Sequence, residues 1–462
     1  MIFTQSNSII NRLSAWMAAL LGLAFTLWTF YPGYMSYDSA YQWLQARHGT
    51  FDTLHPPAMA MLWQLTDRIW PGPGGMLVIQ SLLYWVALAI LVSALSLGTT
   101  GRFLSVLFIG LWPPLFGLLA HIWKDVLMMA TFGLTTALLC VELKHPSRWL
   151  RVAAILTLSF ACMLRHNAIL GAAPFAAWIA IRQLAPFGQV MRHKTRFAIL
   201  TLIMTSLVYI ASILPNYTPN VRRVDSLWSL VALWDIAAVS LAEDKLLFPA
   251  VLHDPSLSLE DLRRDFMEAA SAPLYASGKL KHSVWQAYTT DERRALEKAW
   301  LSLLLDHPEA YLRHRWRLAQ LLFGWDRAAH PDQLVFEPGL YVMPDNPPVA
   351  ATDNALQQWV QLRLNALINT PLFAGWWYVV ALLAISILGL TRLGNPFAAF
   401  SVVVAASTLT YSLPLILISG STDFRYLGWL VLATLIAGSL LGDSRNCQTA
   451  TVTPAEPRVY PM

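Results

Sequence analysis

The chain has 462 residues, 56% of them hydrophobic and only 13% charged, with a mean hydropathy of +0.48 and a formal net charge of +5. Soluble domains carry about 25% charged residues, so the composition excludes one and points to an integral membrane protein. In such a chain the distribution of charge matters more than its sum, and the small positive excess implies no nucleic-acid partner.

Spanning the hydrocarbon core as a helix takes ~20 mostly apolar residues, and the edges of an open sheet would go unpaired in lipid. The many long apolar runs therefore predict an all-α polytopic bundle. Spans are expected near 13–31, 75–97, 103–120, 126–142, 152–164, 168–184, 197–214, 373–391, 396–418 and 427–442. The first run follows Arg12 and lacks a small-residue cleavage site, so it reads as a retained span and not a signal peptide. The fifth and sixth are separated only by "RHN" and are short enough for tilted or partly re-entrant helices. Cys140 and Cys162 fall in apolar runs and Cys447 in the tail, with no spacing that suggests a disulfide or a zinc site.

Lys and Arg counts set the orientation. With the N-terminus in the cytoplasm, the inner segments hold twelve basic residues, and the short outer loops hold five: Arg47, Arg68, Lys124, Arg165 and Arg425. The chain then divides into a membrane module (1–214) with its first external loop at 34–57, a mostly helical extracytoplasmic segment (215–372), C-terminal spans (373–442) and a disordered cytoplasmic tail (443–462). In the extracytoplasmic segment, "SLEDLRRDFMEAA" starts a helix capped by Ser258, "TTDERRALEKAW" starts another, and the piece from Pro308 to Arg317 reads as a helix lying in the membrane interface.

The polar residues hardest to explain in such a chain all fall at one end of the spans. They are Asp38, Tyr41, Asp52 and His55 after the first span, "HIWKD" with Lys124 and Asp125, "RHN" with Arg165 and Asn167, and "TDFRY" with Asp423, Arg425 and Tyr426. Each has an ordinary reading. Asp38 suits a helix N-cap, Lys124 and Asp125 a local ion pair, Arg165 and Arg425 snorkelling towards headgroups, and His55 before Pro56-Pro57 a rigid turn. Four loops sharing one face argue instead for one site, because ionisable groups at membrane depth usually mark a substrate path or a paired site. Three cations with carboxylates nearby suit an anionic lipid headgroup held by its phosphate while a carboxylate takes a proton from an attacking hydroxyl.

On these residues, above all "YDSAYQWLQARHGTFDTLHPP", the chain resembles the GT-C superfamily of integral membrane glycosyltransferases, in the branch of protein O-mannosyltransferases, lipid A aminoarabinose transferase and bacterial polyprenyl-phosphate-sugar transferases. The resemblance implies a GT-C-like bundle of about ten transmembrane helices in the bacterial inner membrane, with the site on the extracytoplasmic face. It implies Asp38 as the base of an inverting transfer, and Lys124, Arg165 and Arg425 as the donor's phosphate-binding residues. Tyr41, His55, Asp125, Asn167, Asp423 and Tyr426 would be supporting residues. The expected partners are a polyprenyl-phosphate sugar donor, a glycan, lipid or protein acceptor, and membrane lipids. Protein mannosyltransferases carry an Asp-Glu pair where this chain has Asp38-Ser39, so neither a metal site nor another cofactor is expected. Two alternatives remain beside this reading: an O-antigen-ligase-like oligosaccharide transferase, and a lipid-linked substrate transporter or flippase.

Overall fold

A computed structural model describes residues 2–184, 194–284, 286–327, 338–350 and 354–449. These residues are mostly helical, as the apolar runs require. In chain order the first helices are α1 (Ile2–Phe30), α2 (Tyr37–His48), α3 (Ala58–Ile69), α4 (Gly74–Ala94), α5 (Thr99–Gly110), α6 (Pro113–Leu119), α7 (Lys124–Lys144), α8 (Arg148–Leu164), α9 (Ala168–Leu184) and α10 (Lys194–Ile213). Then come α11 (Trp228–Ala242), α12 (Leu259–Asp265), α13 (Thr290–Asp306), α14 (Pro308–Phe323), α15 (Ala355–Leu367), α16 (Gly375–Leu390), α17 (Pro396–Ser412), α18 (Leu415–Ile418) and α19 (Gly428–Thr449).

Every expected span is helical, but length divides them. Six helices are long and apolar enough to cross a membrane: those covering Leu13–Phe30, Gly74–Ala94, Lys124–Lys144, Lys194–Tyr217, Pro396–Ile418 and Phe424–Ser444. The expected span at 103–120 is not one continuous helix. It is the pair α5 and α6, bent by 64°, because Pro113 and Pro114 cannot supply the backbone N–H groups that would carry α5 onward. Counted as one broken span, the pair makes seven. The tail also starts later than position 443, since α19 runs on to Thr449; residues 450–462 lie outside the described residues.

The central helix is α7, which packs on α4 and α8; α1 packs on α4 and α5, and α17 joins α9 to α19. Small residues make these approaches possible. The indole of Trp85 lies against the backbones of Gly22 on α1 and Gly110 on α5, where added methyl groups would overlap the ring. Its Nε1 donates to Thr26 Oγ1 at 3.0 Å. Without a hydrophobic drive between helices in lipid, such close packing carries much of the association.

The segment between α10 and α16 builds a second core from Leu233, Ile236, Leu262, Leu274, Leu296 and Leu303. Ser258 caps α12 and Thr289 caps α13, each in a reciprocal capping box with the third residue onward. The α14 helix does not simply lie on an interface. Leu312 and Trp316 are exposed, but Arg315 is buried and pairs with buried Asp235 of α11, which also accepts from Trp300 Nε1 at 2.8 Å. This unit sits at the end of the bundle where α2, α7 and α19 begin, through backbone contacts of Met35 with Leu340 and of Ala270 with Ser421.

The Trp85 contact sets a first expectation. Gly110→Ala forces a methyl group into a filled ring site and should lower stability by roughly 1–3 kcal/mol, read as a lower thermal midpoint of the detergent-solubilised chain; an unchanged midpoint would mean that α5 can slide away from α4.

Candidate functional site

The four polar loops meet. Asp38 lies in the first turn of α2, where the helix N-terminus favours a carboxylate. Arg425, just ahead of α19, places Nη2 2.9 Å from Asp38 Oδ2 and 2.9 Å from Asp423 Oδ2. On the other side of Asp38, His55 Nε2 is 3.5 Å from Oδ1. The His55 ring is in turn held by Lys124, whose Nζ donates to Nδ1 at 2.8 Å. Because a protonated amine can only donate, Nδ1 accepts and the ring proton sits on Nε2, facing the carboxylate. Asp38 thus receives Arg425 on one oxygen and the His55–Lys124 pair on the other.

Lys124 and Asp125 are not a local pair. Successive residues on a helix point about 100° apart, so Lys124 turns to His55 while buried Asp125 pairs with Arg165. Arg165 Nε also donates to Asn167 Oδ1 at 3.1 Å. Aromatic faces hold both guanidinium groups. Arg165 lies 4.2 Å from the centroid of the Tyr426 ring, and Arg425 lies 5.0 Å from that of Trp123. The Tyr426 hydroxyl shares a 2.8 Å hydrogen bond with Ser421, which donates to Asp423 at 3.2 Å.

One expected member, Tyr41, stands apart, together with Asp52 of the same loop. Tyr41 turns its ring edge towards His55, but its hydroxyl donates to Asp52 at 2.5 Å. Asp52 also accepts from Arg222 at 3.2 Å and from the Leu54 backbone at 3.0 Å. These bonds anchor the parallel pairing of β1 (Phe51–Asp52) with β2 (Val221–Arg222). Asp52 is a structural clamp there and does not join Asp38. The three cations expected to hold a phosphate are also not idle: Lys124 donates to His55, Arg165 faces Asp125, and Arg425 faces Asp38 and Asp423. Trp123 and Ser421 belong to the cluster beyond the expected residues. "TDFRY" carries a signal for Ser421, its immediate predecessor, and "HIWKD" contains Trp123.

The cluster is partly open: the side chain of Asp38 is 24% exposed and that of Arg425 is 13% exposed. Burial works against ionisation of Asp38, but Arg425, His55 and Lys124 together outweigh it and hold the carboxyl well below the usual carboxylate range. Burial and the Lys124 ammonium push the His55 imidazole below its ordinary value. Among the described residues, no group of three His, Cys, Asp or Glu side chains is placed to hold a metal ion.

Apolar helices of spanning length and a charged cluster gathered at their ends define a multi-pass helical membrane protein. No protein-family model and no curated protein matches the chain.

Both shifts favour stability on the alkaline side. A lowered imidazole pKa means that the folded chain refuses a proton the unfolded chain takes up below about 6.5, and the lowered carboxyl does the same below about 3.8. Stability is full above the first value, declines as the pH falls through it, and declines again below the second. His55→Gln should reduce the first decline, and the second should shrink but persist, because Arg425 and Lys124 still hold the Asp38 carboxyl down. Parallel curves of thermal midpoint against pH for His55→Gln and the parent chain would remove His55 as the source.

Proposed function

We propose that the chain is a membrane glycosyltransferase that moves a sugar from a polyprenyl-phosphate donor to an envelope acceptor, a lipopolysaccharide, a lipid-linked glycan or a similar molecule. On this reading it is a GT-C-like bundle of about ten spans in the bacterial inner membrane, with the cluster on the extracytoplasmic face. The observation that carries the proposal is the setting of Asp38, a partly open carboxylate between Arg425 and the His55–Lys124 pair at the membrane end of four separate helices.

The cluster supplies each part of such a transfer. The donor phosphate engages Lys124 and Arg425, whose amine and guanidinium groups suit phosphate oxygens. Sharing Arg425 with phosphate loosens its hold on Asp38, which then accepts the proton of the acceptor hydroxyl. The acceptor oxygen attacks the anomeric carbon, the bond from that carbon to the phosphate oxygen breaks, and polyprenyl phosphate leaves with the bonding electrons. Cations that stabilise this leaving group lower the barrier most when they are already oriented, as cation–π contacts with Trp123 and Tyr426 orient Arg425 and the hydrogen bond to His55 orients Lys124. His55 holds Asp38 in place through its Nε2 proton. Arg165, fixed by Asp125 and Asn167, supports Tyr426 and adds positive potential behind the phosphate.

The alternatives fit less well. A diphosphate-linked oligosaccharide calls for surplus positive charge, and here Asp38, Asp125 and Asp423 stand against Lys124, Arg165 and Arg425. A translocation path calls for charged groups near the bilayer midplane; this cluster sits at helix ends.

Asp38→Asn should abolish transfer of radiolabelled sugar from a polyprenyl-phosphate donor in membranes, with expression and gel-filtration profile unchanged. Transfer at the parental rate would sink the base assignment. Arg425→Ala, assayed across donor concentrations, should raise the apparent donor KM by about tenfold or more, as expected when a charge-assisted bond is lost, with acceptor KM little changed.

A further inference from the structure

A cavity of about 570 Å³ lies behind the ionic cluster and takes no part in the chemistry described above. Its floor is the wall the two share: Thr53 and Pro56 flank His55, and His166 follows Arg165. The opposite side comes from the end of α10 and the approach to α11, with Asn216, Tyr217, Arg223, Asp225 and Trp228. The cavity therefore lies against the loop that carries His55, the residue that meets Asp38 at Oδ1.

The lining has a specific chemistry. Arg223 is exposed, stacks over the Tyr217 ring at 5.2 Å, and forms no ion pair among the described residues. Asp225, two residues on, is likewise exposed and forms none. The charges offset each other, so the cavity is no anion trap. It offers instead planar donors and acceptors beside two rings that each keep one face covered, Tyr217 by Arg223 and Trp228 by the stacked ring of Trp300. That combination fits a polyhydroxylated ring, which has hydroxyls around its edge and a C–H face that packs on an aromatic plane.

The wall is also rigid. Ser226, between Asp225 and α11, adopts a left-handed backbone with φ of 58°. Its carbonyl accepts from the Ser229 backbone at 2.8 Å and from Ser283 Oγ at 3.0 Å, and Thr53 Oγ1 accepts from the Val224 backbone at 2.9 Å. A strained non-glycine turn persists only where its surroundings over-determine it, and such turns gather at binding sites. The β1–β2 pairing ties this wall to the loop that carries His55.

The geometry points to this cavity as the seat of an acceptor sugar ring, held by Arg223 and Asp225 and packed on Trp228. This rests on the reading of the chain as a glycosyltransferase, and adds that the acceptor is recognised as a saccharide, beside the loop that carries His55.

The test uses the full chain in lipid nanodiscs, with lipid-free oligosaccharide released by mild acid from purified lipopolysaccharide as probe. The fluorescence difference between the parent and Trp228→Phe isolates the Trp228 signal. It should change saturably with oligosaccharide and not with inorganic phosphate, and Arg223→Ala should weaken the response by about tenfold, the cost of a hydrogen bond to a charged group. In transfer assays Arg223→Ala and Trp228→Ala should raise acceptor KM and leave donor KM alone, while Trp228→Tyr restores acceptor KM. A response to phosphate, no response to oligosaccharide, or a rise in donor KM would overturn the inference. Oligosaccharide binding without any transfer from a polyprenyl-phosphate sugar would sink the glycosyltransferase reading and leave the saccharide site standing.

Discussion

The contact on which the arrangement depends is Arg425 held between Asp38 and Asp423. Charges near the end of a membrane bundle sit where the dielectric is low, so an unpaired one is costly and a paired one is strongly directed. Arg425 precedes the last helix, and Asp38 begins the first helix after the opening span. Their pairing therefore ties the two ends of the chain together over the mouth of the bundle. Lys124 and Asp125 at the start of the central helix α7 extend the tie in both directions, one to His55 and the other to Arg165.

The cluster has an inner and an outer part that differ in what they can do. Asp125 and Arg165 form the inner part, where the carboxylate has no exposure at all. Breaking such a pair strands a buried charge, so its plain consequence is to lock α7 against the α8–α9 link. Asp38, Arg425, His55 and Lys124 form the outer part, with partners that can be exchanged because Asp38 is open on one side. Tyr426 bridges the two parts, with its ring against both Arg165 and Arg425, and Trp123 holds Arg425 by its face, which leaves the N–H edge to its carboxylate partners.

Much of this was legible in the sequence, and what was not has a physical reason. Apolar runs mark helices well because lipid permits little else, and the grouping of "KD", "RHN" and "DFRY" at one end follows from alternating spans. The break between α5 and α6 was signalled by Pro113-Pro114 but masked by the surrounding apolar run, which reads the same whether straight or bent. Pairing was harder. Lys124 and Asp125 are neighbours in sequence and diverge in space because of the helical turn, whereas Asp52 and Arg222 meet through a strand pairing that no local pattern announces. The burial of Arg315 against Asp235 was hidden for a similar reason: an amphipathic helix with arginines looks interfacial until a buried carboxylate is found opposite one of them.

Helix length then explains why the cluster is built from matched charges. The α8 helix has 17 residues, about 25 Å at 1.5 Å per residue, against ~30 Å of hydrocarbon. A helix this short holds the link of Arg165, His166 and Asn167 that follows it below the level that a full-length span would reach, or thins the bilayer around it. By contrast α10, long enough to cross, buries almost none of its surface inside the protein and so presents it to lipid. A recessed charged link bounded by a lipid-facing helix needs an internal counter-ion, and Asp125 supplies it from the first turn of α7. The same link supplies His166 to the cavity that the end of α10 closes, so the charged cluster and that cavity share one wall.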